Sequence, residues 1–144
     1  MYFSVAAYLT LAVALSAAAS SDEAIVSIEV NETTTARIEA RDYFDCKGSG
    51  LCSSFILGSC DDAANRKLIR NDNINYGAPG SGQSQTGACS GQCGVFIQGD
   101  RSCVRSGNQI WNDYHDIRGN GCKICGSKHW GAGCLTTINY VSGC

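Results

Sequence analysis

Cysteine is the residue type that could do the most chemistry in this sequence. The ten are Cys46, Cys52, Cys60, Cys89, Cys93, Cys103, Cys122, Cys125, Cys134 and Cys144. A thiol can bind zinc, exchange electrons or close a disulfide, and spacing bears on which. Cys89-x3-Cys93 with Cys122-x2-Cys125 has spacing that a zinc site could use. Cys122-x2-Cys125 alone has the spacing of a redox pair. An even count in a small exported chain reads instead as five disulfides. Ten cysteines allow about nine times the roughly 105 pairings open to eight, so spacing alone selects no connectivity. Each bridge contributes about 2–4 kcal/mol by restricting the unfolded chain. A domain of this size is stable by only about 5–15 kcal/mol, so losing two bridges could unfold it.

Acid–base chemistry has less to work with. A hydrolase needs a nucleophile with a base, or paired carboxylates. The chain has two histidines, His115 and His129. His115 sits beside an apolar helix stripe, and His129 follows a lysine in an expected loop. Asp113 and Asp116 share one helix three positions apart and read as a solvated face. We therefore expect no catalysis, no cofactor and no metal. Binding is better supplied. Lys123, Lys128, His129 and Trp130 surround the Cys122-x2-Cys125 turn and form a candidate target-binding patch. Trp130, in Ser127-Lys128-His129-Trp130-Gly131, could also stack on a sugar, with Tyr76 from a second Gly-rich loop. A secreted carbohydrate or cell-wall binding module is thus the alternative reading.

Composition narrows the classes. In 144 residues there are 17 glycines and a single proline, Pro79, and Lys+Arg 11 against Asp+Glu 13 gives a net charge of −2. That balance argues against a nucleic-acid partner. A hydrophobic content of 44% argues against disorder. Every glutamate precedes residue 40, whereas from Asp42 onward eight Asp face nine Lys or Arg, for +1. All ten cysteines lie in that second part, where they make up about 10% of residues, the range of a disulfide scaffold.

The N-terminus reads as targeting. Residues 5–19, VAAYLTLAVALSAAA, form an apolar run ending in small residues. The run is shorter than the ~20 residues of a membrane span and has the small-residue end of a signal-peptide cleavage site. We expect a signal peptide over 1–20 and a secreted, extracellular, monomeric product. Residues 21–41 are acidic and lack Cys and Gly; they read as a leader or pro-region, with Val26, Ile28 and Val30 alternating as in a short strand. Asn31-Glu32-Thr33 is a glycosylation sequon.

The cysteine-bearing region, 42–144, must position these groups. Residues 60–72 hold good helix formers with Asp61 and Asp62 in the expected first turn, which suits the helix dipole. Residues 74–88 read as a loop, and residues 93–98, CGVFIQ, as a strand. Ser106-x-x-Gln109 is a capping box. Ile110, Tyr114 and Ile117 follow at helical spacing, widened by Trp111, with Gly119 or Gly121 as the stop. Residues 135–141 read as a strand with Thr136, Ile138 and Tyr140 on one face. Interspersed helices and strands suggest an α/β layer fold.

The motifs carry a resemblance. Cys46-Lys47-Gly48-Ser49-Gly50-Leu51-Cys52 is followed by Cys93-Gly94-Val95-Phe96-Ile97-Gln98, then by Asn120-Gly121-Cys122-Lys123-Ile124-Cys125-Gly126-Ser127, and last by Asn139-Tyr140-Val141 before Cys144. In this order the set resembles the smut-fungus killer toxin family, killer protein four. That resemblance implies an α+β sandwich, a small disulfide-rich antiparallel sheet with two helices on one face. It implies a fungal killer toxin or effector that inhibits competing fungi, or acts on a host, by binding a membrane protein or cell-surface target, in some cases a calcium channel. It also implies bridges Cys46–Cys122, Cys52–Cys125 and Cys89–Cys144. The remaining four cysteines map less cleanly. We expect Cys60–Cys103 and Cys93–Cys134, the second because both could lie on neighbouring strands. A Cys46–Cys122 bridge would add Lys47 to the basic patch.

Overall fold

The computed structural model describes residues 41–144. The expected signal peptide, the strand-like Val26–Val30 and the sequon at Asn31 lie outside the described residues. Seven strands and two helices follow in order: β1 (Tyr43–Asp45), α1 (Leu57–Asp62), β2 (Ile74–Gly77), β3 (Gly87–Ser90), β4 (Cys93–Gln98), β5 (Val104–Ser106), α2 (Gly107–Gly119), β6 (Gly126–Trp130) and β7 (Cys134–Tyr140). Five strands form one antiparallel sheet in the order β1-β6-β7-β4-β3, and β2 pairs with β5 in a second, two-stranded sheet.

The two helices pack on one face of the main sheet, and side-chain alternation shows why. Val95 pairs with Ile138 and Ile97 with Thr136, so these four side chains share a face, each at most 1% exposed. Cys93, on the same face, is bonded to Cys60 of α1. Thr136 donates to Asp113 of α2. Ile110, Tyr114 and Ile117, four and three positions apart, close the core from the helix side. This is a small α+β disulfide-rich fold.

The start of α2 follows from its cap. The Gln109 amide donates to Ser106 Oγ at 3.2 Å, and the Ser106 amide donates to Gln109 Oε1 at 2.9 Å. Two otherwise unpaired donors are thereby satisfied. Trp111, expected to widen the stripe, is half-buried and donates its indole N–H to Asn65.

Around residue 60 the structure differs from the expected helix over 60–72. A 3-10 turn (Ser54–Ile56) leads into α1, a π-helical turn (Ala63–Lys67) follows, and the chain becomes extended at Leu68. The Cys60–Cys93 bridge and the Tyr76 hydroxyl, which accepts from the Ile69 amide, hold both ends of this segment. Asp61 and Asp62 consequently stand at the end of α1 and not in a first turn. Asp61 accepts from the Tyr114 hydroxyl. Asp62 accepts from Ser90 and Arg66, which holds its carboxyl below the usual range. The expected loop 74–88 contains β2 and the start of β3, and the expected loop around His129 and Trp130 is strand β6.

All ten cysteines are bridged: Cys46–Cys122, Cys52–Cys125, Cys89–Cys144, Cys60–Cys93 and Cys103–Cys134. The last two replace the expected Cys60–Cys103 and Cys93–Cys134. Cys93 points to the helix face, where its Cα lies 5.0 Å from that of Cys60. Cys103 follows the end of β4, and the pairing of Gln98 with Leu135 brings it beside Cys134 at the start of β7.

Candidate interaction site

Two bridges meet at one end of the molecule. Cys46 and Cys52 bound a short loop, and Cys122 and Cys125 bound the turn between α2 and β6. Gly48 lies so close to this junction that a Cβ there would stand 2.6 Å from Cys125 Cβ and 3.0 Å from Cys52 Sγ. Only glycine lets the loop lie flat against the bridge. The Ser49 amide donates to Asn139 Oδ1 at 2.8 Å, which ties the loop to the end of β7. The Cys52 amide donates to the Ser49 carbonyl at 2.9 Å and closes a turn with Leu51 at its tip.

Between the two arms lies an open cleft of about 500 Å³, lined by residues 46–49, Cys52 and residues 123–125. Lys47 and Lys123 line it, and both are exposed. Among the described residues neither ammonium has a carboxylate within salt-bridge distance. The cleft therefore presents two solvated cations on a covalently pinned backbone, an arrangement suited to attracting an anion.

The other three members of the expected patch are engaged elsewhere. Lys128 is an internal ion-pair centre: its Nζ lies 2.8 Å from Asp113, 2.7 Å from Asp116 and 3.3 Å from Asp42, with 11% of the side chain exposed. Burial alone would lower the Lys128 pKa, but Asp113 and Asp116 outweigh it and push the value above the usual lysine range. Asp113, expected on a solvated face, is 3% exposed. It accepts from Lys128 and Thr136 and lies 3.4 Å from Arg105.

His129 and Trp130 are neighbours on β6 and so face opposite sides of the sheet. His129 Nε2 lies 2.6 Å from Asp45 Oδ2, and its ring stacks on Tyr43 at 3.9 Å. Burial would raise the Asp45 pKa. The bond to His129 and the Lys47 amide outweigh that and bring it below the usual carboxylate range. Trp130 is half-buried, donates to Thr136 at 3.1 Å and carries the Arg105 guanidinium 3.7 Å over its ring. One indole face is therefore occupied. Tyr76, paired with Trp130 in the sugar-binding alternative, is fully buried. His115 is exposed and sits edge-on to Trp111 and Tyr114.

Two exposed apolar residues of the stretch from Cys46 to Cys60 were given no role in the sequence reading. Leu51 is 60% and Phe55 is 94% exposed. The available signal was local. Both sit in a Ser/Gly-rich stretch between Cys46 and Cys60.

Five bridges fit an extracellular protein, and among the described residues no helix is long and apolar enough to cross a membrane. No curated protein matches the chain. The resemblance to the killer toxin family is corrected by the family match. The shared motifs describe bridged turns, and the same cysteine spacing can serve unrelated small scaffolds. Residues 44–144, which take in every strand and helix after the first residue of β1, match the model of the meiotically up-regulated gene family, and the chain belongs to that family.

Proposed function

We propose that this is a secreted binding protein that acts on an anionic cell-surface target, of a competing or a host cell, without catalysis. The observation that carries the reading is the cleft beside Cys46–Cys122 and Cys52–Cys125, with Lys47 and Lys123 exposed and without carboxylate partners among the described residues. Bridges on both sides hold the cleft in one conformation, so binding costs little ordering entropy. Lys128 and Asp113 are committed to one another, and His129 to Asp45.

Binding of the purified, oxidised protein to intact fungal and plant cells tests this reading. Lys47→Glu with Lys123→Glu should weaken binding at low salt, and added salt should narrow the gap from wild type. Both positions are exposed, so the melting temperature should hold. Full binding by the double variant at low salt would refute the assignment. His129→Ala or His115→Ala should change activity by no more than a few-fold, whereas a general acid–base role would cost ~10²–10⁴-fold.

A further inference from the structure

Phe55 is 94% exposed and Leu51 is 60% exposed. Both belong to one stretch whose backbone is pinned by bridges at Cys46, Cys52 and Cys60. Leu51 occupies the tip of the turn closed between Ser49 and Cys52. Phe55 lies in the 3-10 turn that starts α1, and the next residue, Ile56, is buried and anchors that turn in the core. Two large apolar side chains are thus held out in water on a rigid frame.

The stretches that carry the cleft are basic, and the flanking Asp45 is held by His129 and the Lys47 amide. From Cys46 to Cys60 the only charged residue is Lys47, and from Arg118 to Lys128 there is no acid. We infer that Leu51 and Phe55 insert into an anionic phospholipid surface while Lys47 and Lys123 contact its headgroups. This inference rests on the reading of the cleft end as the recognition site, and it names the partner.

Size favours a bilayer over a protein. A stable protein interface takes about 800 Å² from each partner, whereas a phenylalanine supplies roughly 150–250 Å². A leucine beside it leaves the pair well short of that. Lipid attachment has no such threshold, because it scales with inserted apolar area plus attraction between basic residues and anionic headgroups. Two inserted side chains and two lysines give weak, reversible attachment, strengthened wherever anionic lipid is dense.

Co-sedimentation of the oxidised protein with two vesicle preparations tests this, one of phosphatidylcholine alone and one of equimolar phosphatidylcholine and phosphatidylserine. Wild type should sediment with the mixed vesicles and not with phosphatidylcholine alone. Leu51→Ser with Phe55→Ser should lower partitioning at least about tenfold. Lys47→Gln with Lys123→Gln should lower it by a similar factor at low salt. Both variants should retain five disulfides and the wild-type melting temperature. Failure of wild type to sediment with mixed vesicles, or full partitioning by the serine variant, overturns the inference. If cells bind the protein through Lys47 and Lys123, but lose that binding on protease treatment while mixed vesicles never take it up, the partner is a protein. The lipid assignment then falls and the cleft assignment stands. If instead vesicles bind as expected and charge reversal leaves cell binding intact, the cell-surface reading fails and the lipid assignment stands.

Discussion

The Lys128 ammonium lies 2.8 Å from the Asp113 carboxylate beneath α2, with the lysine side chain 11% and the aspartate side chain 4% exposed. The pair joins the middle of β6 to the middle of α2. Asp116, one turn further on, and Asp42, just before β1, share the same ammonium. Removing one member of a buried pair leaves the other charged and unpaired, which costs about 3–5 kcal/mol. Arg105 remains near Asp113 and softens that cost. Lys128→Met should therefore destabilise the protein by about 3 kcal/mol, and Asp113→Leu added to it should not restore the loss, because Thr136 and Arg105 then lose their acceptor. Urea unfolding of both variants decides it. A single variant within 1 kcal/mol of wild type, roughly the scale of an exposed ion pair, would show Lys128 to be an ordinary surface lysine.

Cysteine pairing is directly measurable. Peptide mapping in acid, without reduction, should recover Cys60 joined to Cys93 and Cys103 joined to Cys134. Recovery of Cys60–Cys103 would contradict the packing of α1 on β4. Replacing Cys60 and Cys93 together by alanine opens a cross-link that spans 33 positions. It should lower stability by about 3–4 kcal/mol on chain entropy.

Gly107, the first residue of α2, touches backbone. A Cβ there would meet the Ile69 carbonyl oxygen at 1.7 Å. The segment has little room to retreat, since the Asn108 amide donates to the Asn71 carbonyl at 3.1 Å. Alanine is a better helix former than glycine by about 1 kcal/mol. Even so, Gly107→Ala should destabilise by about 2 kcal/mol, as overpacking does. Ser106→Ala, which removes the cap, should cost about 1 kcal/mol. Thermal melts that rank Gly107→Ala above wild type would place the helix start differently.

Tyr114 predicts an alkaline limit. Burial, and then the bond its hydroxyl donates to Asp61, push its pKa up to about 12. Because the folded value lies above the ordinary tyrosine value of 10.0, the stabilisation is complete below pH 10. It is lost as pH rises from there toward 12. Lys128, also shifted upward, acts in the same direction. An absorbance titration at the phenolate band should show a late step near pH 12 that Tyr114→Phe removes. A wild-type titration complete by pH 11 would contradict the buried hydroxyl.

Sequence alone determined the elements whose signals are local. The capping box at Ser106 and Gln109, the stripe of Ile110, Tyr114 and Ile117, and the apolar run from Cys93 to Gln98 each lie within a few residues, and each forms as that spacing implies. Side-chain alternation also placed Thr136 and Ile138 on one face of β7. Tertiary structure decided what depends on partners distant in the chain. Strand β1 exists because it pairs with β6, and β6 because it pairs with β1 and β7, and neither has apolar alternation of its own. Which way β6 side chains point was set by register, and a shift of one residue exchanges the two faces. That register sends Lys128 under α2 and His129 to the opposite side, so a patch that looked continuous in sequence is divided by the sheet. It also chose among the cysteines, since a bridge needs Cα atoms about 4.4–6.8 Å apart. Only the packed helices and the β4–β7 pairing bring Cys60 to Cys93 and Cys103 to Cys134.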